Sequence, residues 1–193
     1  MNFRIGFKYA TWWSLLVAAL LLLPVASQAQ LQKEQVLTAL IYNFARFVTW
    51  PESSFPAQNA PLIIAVIGDG ALQKEISSLR GKKLEDRTIV VQQLSFAQAL
   101  EPNPSYHILY IPPSFSKRLS DLMEAVARRP ILSISDMQNF VSKGGVLHLQ
   151  ETLPTISFSI NLDSAEQAEL VISSKLFRLA TTIIKNGQVT EGP

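Results

Sequence analysis

Leu62-Ile63-Ile64-Ala65-Val66-Ile67 runs straight into Gly68-Asp69-Gly70. Six consecutive apolar residues bounded by a glycine turn suit a strand buried on both faces, as in a parallel sheet. Helical spacing follows at about 71–79, and the same strand-then-helix order recurs downstream. Thr88 to Leu94 reads as a strand, followed by one helical turn at 95–100 with Ser95 as its cap. His107 to Ile111 is a strand ahead of a helix at about 115–128, which Pro130 stops. Ile131 to Ile134 is a strand ahead of a short helix capped by Ser135-Asp136 and ended by Gly144-Gly145. Val146 to Gln150 and Thr155 to Ile160 both alternate and flank Glu151-Thr152-Leu153-Pro154, which predicts an antiparallel hairpin. Residues 163–185 are expected to be helical, in two pieces, with Leu176, Leu179, Ala180 and Ile183 as the core stripe. Upstream, Val36, Leu37, Leu40, Ile41, Phe44, Phe47 and Val48 recur at spacings of three and four, predicting an amphipathic helix over 31–48 that closes at Trp50-Pro51. Together these elements predict an α/β fold: a mixed, mostly parallel sheet of about six strands with a C-terminal antiparallel hairpin, flanked by helices.

The first 29 residues read differently. Arg4 and Lys8 precede the apolar run Ala10 to Val25, and Ser27-Gln28-Ala29 offers the small residues of a cleavage site. This is the pattern of a secretory signal peptide, with cleavage expected after Ala29. The run is short of the roughly 20 residues that span a bilayer. Residues 30–193 are then a single domain. The whole chain has 17 Lys+Arg against 15 Asp+Glu, a formal charge of +2. The leader holds two of the cations and no acid, so the remainder is neutral, which argues against nucleic acid as a partner. A hydrophobic fraction of 48% excludes a disordered chain. The absence of cysteine excludes disulfide scaffolds, thiolate metal sites and thiol catalysis.

Motifs for enzymatic chemistry are missing. The sequence has no Gly-x-Ser-x-Gly elbow, no phosphate-binding Gly-x-x-x-x-Gly-Lys loop and no His-Glu-x-x-His. Ser173-Ser174-Lys175 lacks the Ser-x-x-Lys spacing, with Ile172 standing where the serine is needed. Gly68-Asp69-Gly70 reads as a tight β-to-α turn. His107 and His148 read as packed strand residues, and Glu166 and Glu169 as one solvated helix face. No catalytic residue, metal ligand or cofactor is expected.

Leu40-Ile41-Tyr42-Asn43-Phe44-Ala45-Arg46-Phe47-Val48-Thr49-Trp50-Pro51 resembles the Tyr-Asn-Phe-Ala-Lys/Arg-Phe-x-x-Trp-Pro signature of the YfiR family of bacterial periplasmic proteins. Phe158 to Asp163 and Leu170 to Ala180 are similar to the family's closing pattern. Ser135-Asp136, Phe140 and Gly144-Gly145 resemble its middle turn. The resemblance covers residues 33–184. It implies a periplasmic regulatory protein, not an enzyme, that represses an inner-membrane diguanylate cyclase of the YfiN type by direct contact and so controls cyclic-di-GMP and biofilm. It also implies sequestration by an outer-membrane lipoprotein of the YfiB type, and a homodimer. Best-known members carry disulfides, whereas this chain has no cysteine for a thiol switch. The alternative is a periplasmic small-molecule sensor module serving a kinase or an outer-membrane transporter.

Candidate binding residues are Tyr42, Asn43, Arg46, Trp50, Lys175 and Arg178. Asn43, Arg46 and Trp50 are three and four apart, on one side of a helix end, where Arg46 can stack on Trp50. Two roles stay open: Trp50 plugs the core while Asn43 caps a loop, or the group forms a ligand or partner patch. Lys175 and Arg178 are either a solvated basic face or a contact for an acidic patch. Asn161 is expected to make a local backbone bond.

Overall fold

The computed structural model describes residues 31–102, 105–152 and 155–192. The expected signal peptide and its cleavage site, and Leu153 and Pro154 of the expected hairpin connection, lie outside the described residues. A first helix, α1 (31–47), runs into a two-residue strand, β1 (Val48–Thr49). The expected strands are all present: β2 (Leu62–Ile67), β4 (Arg87–Leu94), β5 (Ile108–Tyr110), β6 (Leu132–Ser135), β7 (Leu147–Thr152) and β8 (Thr155–Asn161). The sheet is wider than six strands. β3 (Lys83–Leu84) joins one edge, and β10 (Thr182–Lys185) and β11 (Gln188–Glu191) extend the other, giving the order β11-β10-β8-β7-β6-β5-β2-β4-β3. β4, β2, β5, β6 and β7 are mutually parallel, and β8 turns back antiparallel to β7.

The continuous apolar run of β2 is explained by the two cores it serves. Leu62, Ile64 and Val66 face one core, while Ala65 and Ile67 face the other. On the first face lie α1, α2 (Ala71–Ile76), α5 (Leu162–Gln167) and α6 (Ser174–Phe177). On the second lie α3 (Phe96–Ala99), α4 (Leu119–Val126) and the turn carrying Met137 and Phe140. Ser95 caps α3 as expected, in a full capping box with Gln98. α1 buries Leu37, Ile41, Phe44 and Ala45, β1 adds Val48, and Phe44 meets Phe158 of β8 edge-on at 5.0 Å. Val36 is exposed instead, because the buried stripe turns towards Glu34 and Thr38.

The C-terminal region departs from expectation. Residues 163–185 are not two long helical pieces. α5 ends before Glu169, which takes a left-handed conformation (φ 55°), so Glu166 and Glu169 do not share a helix face. A second short strand, β9 (Val171–Ile172), precedes α6, and the chain then enters β10. Ile183 is buried from that strand, and Leu179, expected in the core, is 65% exposed. Asn186 (φ 53°) and Gly187 (φ 70°) form the two-residue turn into β11. The Asp163 carboxylate accepts both turn amides, at 2.7 and 2.8 Å. No helix among the described residues is long and apolar enough to cross a membrane.

Candidate functional site

The tandem β1–β9 ribbon assembles the candidate residues from both ends of the chain. Val48 pairs with Ile172 and Thr49 with Val171, and the Ser173 amide donates to the Phe47 carbonyl at 2.8 Å. Ser173 then caps α6, its hydroxyl accepting from the Lys175 amide. The end of α1, with Asn43 and Arg46, is thereby tied to the start of α6, with Lys175 and Arg178. All four side chains are exposed. Val171 and Leu179 lie in the same segment at 65% exposure each. Neither 43–50 nor 171–180 contains an acidic residue; the two segments carry three exposed cations and two exposed aliphatic side chains.

Tyr42 and Trp50 sit deeper. Tyr42 is half-buried, and its hydroxyl donates to the Lys83 carbonyl at 3.0 Å, fastening α1 to β3. Trp50 is buried, and its indole N–H donates to the His107 carbonyl at 3.2 Å. It is thus a core plug, as the first of the two open roles has it. The expected Arg46–Trp50 stack is not formed. Among the described residues, the cations over aromatic rings are Arg87 on Phe55, at 3.5 Å, and Arg118 on Phe96, at 3.3 Å. Arg46 and Trp50 do share a cavity of about 220 Å³ with Glu52, Phe55, Glu85 and Arg87. That is below the roughly 300 Å³ at which small-molecule sites begin.

Behind Trp50 lies a cluster centred on His107, which is packed as expected at 5% exposure but stands one residue before β5 rather than within it. Its Nδ1 accepts from the Ile63 amide at 3.0 Å. The proton therefore sits on Nε2, which lies 3.1 Å from the Ser54 carbonyl and donates to it. Burial lowers its pKa from 6.5; the Arg87 charge adds to this and the Ser54 carbonyl opposes it. Phe55 stacks on the imidazole at 4.4 Å and carries Arg87 at 3.5 Å. Two groups this close to one ring must occupy opposite faces. Phe55 and Arg87 drew no notice in the sequence, since only folding brings the 51–61 loop and the start of β4 together beside His107.

The model of the YfiR/HmsC-like family matches residues 34–181. The chain belongs to the YfiR/HmsC-like family. No curated protein matches it. The YfiR/HmsC-like match begins at the buried face of α1 and ends just before β10, so it includes both strands of the β1–β9 ribbon and the whole candidate surface.

Among the described residues no group of three or more His, Cys, Asp or Glu is placed to hold a metal ion. Asn161 does what its position suggested. Its side-chain oxygen accepts from the Ser164 amide at 2.9 Å, capping α5, and its amide donates to the Val141 carbonyl at 2.8 Å.

Proposed function

We propose that the chain is a periplasmic regulatory binding protein that represses a membrane diguanylate cyclase of the YfiN type by direct contact, limiting cyclic-di-GMP and biofilm. Membership in the YfiR/HmsC-like family supports a periplasmic regulator linked to diguanylate cyclases. The reading of the contact surface is supported by the β1–β9 ribbon, which pairs the strand following Asn43 and Arg46 with the strand that leads into Lys175 and Arg178. The exposed cations Arg46, Lys175 and Arg178 suit an acidic patch on a partner. Exposed Val171 and Leu179 supply the apolar area that such contacts need. Tyr42 and Trp50 hold the surface in place from beneath.

Export by the leader, cleavage after Ala29, a homodimer and sequestration by an outer-membrane lipoprotein of the YfiB type belong to the same proposal. The alternative, a sensor module with its ligand at Arg46 and Trp50, has less support because the cavity there is only about 220 Å³. Deleting the gene and measuring cyclic-di-GMP tests the proposal. A rise in the nucleotide and in biofilm is expected. Unchanged levels, with the neighbouring cyclases expressed, would remove the repressor role.

A further inference from the structure

A cavity of about 710 Å³ opens at the amino ends of β2, β5 and β6, lined in part by His107 and distinct from the 220 Å³ cavity at Arg46. We infer that it binds a small amphipathic monocarboxylate, its apolar body against the proline-lined wall and its carboxylate on Arg129. The size falls within the roughly 300–1,000 Å³ of small-molecule sites. Four prolines, Pro56, Pro61, Pro102 and Pro130, line it, together with Ile63 and Ile131. Proline fixes its own φ, so this wall is ordered before any ligand arrives and binding immobilises little more of the chain.

The polar lining selects the ligand's charge. The Tyr106 hydroxyl donates to the Ala99 carbonyl, and burial pushes its pKa up to about 12, so it stays neutral. Both nitrogens of His107 are engaged with backbone, and that ring is neutral as well. Among the described lining residues Arg129 alone is charged, and it is half-buried. Its Nη1 donates to the Glu101 carbonyl at 3.2 Å. A guanidinium has five N–H donors, so most of the fork is left for a bidentate carboxylate. Glu101 itself is exposed and outside the lining. One cation in an apolar cleft favours a singly charged anion over a phosphate, whose second charge would go unpaired.

Calorimetric titration of the purified chain with octanoate and with uncharged octanamide tests the inference, and does not depend on the partner surface. One site is expected, with octanoate at least about tenfold tighter than octanamide. Arg129→Gln should remove that difference while leaving the thermal midpoint within a few degrees. Equal binding of the two ligands, no saturable heat from octanoate, or an undiminished preference in a folded Arg129→Gln chain would each overturn it. The comparison on the unaltered chain decides the matter even if the variant does not fold.

Discussion

The Trp50 indole N–H and the Leu132 amide donate to the same acceptor, the carbonyl of His107, at 3.2 and 2.8 Å. The residue that follows β1 is therefore fastened to the point where β5 begins and pairs with β6. Replacing Trp50 with Phe removes one of the two donors but leaves the carbonyl paired. A loss of about 1–2 kcal/mol is expected, against about 3–5 kcal/mol for Trp50→Ala, which also empties the core. Urea unfolding of the two variants checks the difference.

His107 makes the fold acid-sensitive in a definite direction. Its pKa is lowered in the folded chain, chiefly by burial, so below pH 6.5 the unfolded chain takes up the proton first. The stability it contributes is fully present above about 6.5 and falls as the pH drops through that value towards the lowered pKa. His148, half-buried, is lowered by burial too, with Asp136 opposing, and adds to the same slope. His148→Gln is expected to keep most of the acid dependence. His107→Phe is expected to flatten it and, by stranding the Ile63 amide, to cost about 1–3 kcal/mol near pH 7.5, a cost that shrinks towards pH 5. Thermal midpoints between pH 7.5 and pH 5 in the three proteins check this.

A β-carbon at Gly145 would overlap the ring of Phe140, which is fully buried. Gly145→Ala should therefore cost about 1–3 kcal/mol through overpacking. Gly144 has open space around it but takes φ 94°, so Gly144→Ala should cost about 1–2 kcal/mol through backbone strain alone. Repacking separates the two causes: Phe140→Leu in the Gly145→Ala background should recover stability, and in the Gly144→Ala background it should not.

Asn161 serves α5 with its oxygen and Val141 with its nitrogen. Alanine loses both, for about 2–3 kcal/mol. Aspartate is an equally good cap yet should not rescue stability, because it brings a charge to face the Val141 carbonyl. Chemical denaturation of the two variants tests this.

The central sheet was legible because burial on both faces writes itself into the sequence as runs such as Leu62 to Ile67. The C-terminal strands were not, because Leu176, Leu179, Ala180 and Ile183 fall at helical spacing while only Leu176 belongs to a helix. The competing signal was Asn186-Gly187, the residue pair a two-residue hairpin favours. Glu169 in a left-handed conformation breaks the helix with no proline or glycine to announce it. At the candidate surface, the residue types stood out, but their meeting depends on a ribbon of two-residue strands between segments more than 120 residues apart. Arg87 and Phe55 were silent for the same reason: each becomes notable only against His107.

The most direct test is complementation of the deletion strain with Arg46→Glu/Arg178→Glu. Both side chains are exposed, so the variant's thermal midpoint should match that of the unaltered protein within a few degrees. The unaltered gene should return cyclic-di-GMP to its low level, and the folded, exported variant should leave it high. Full restoration by that variant would contradict the assignment of this surface as the regulatory contact.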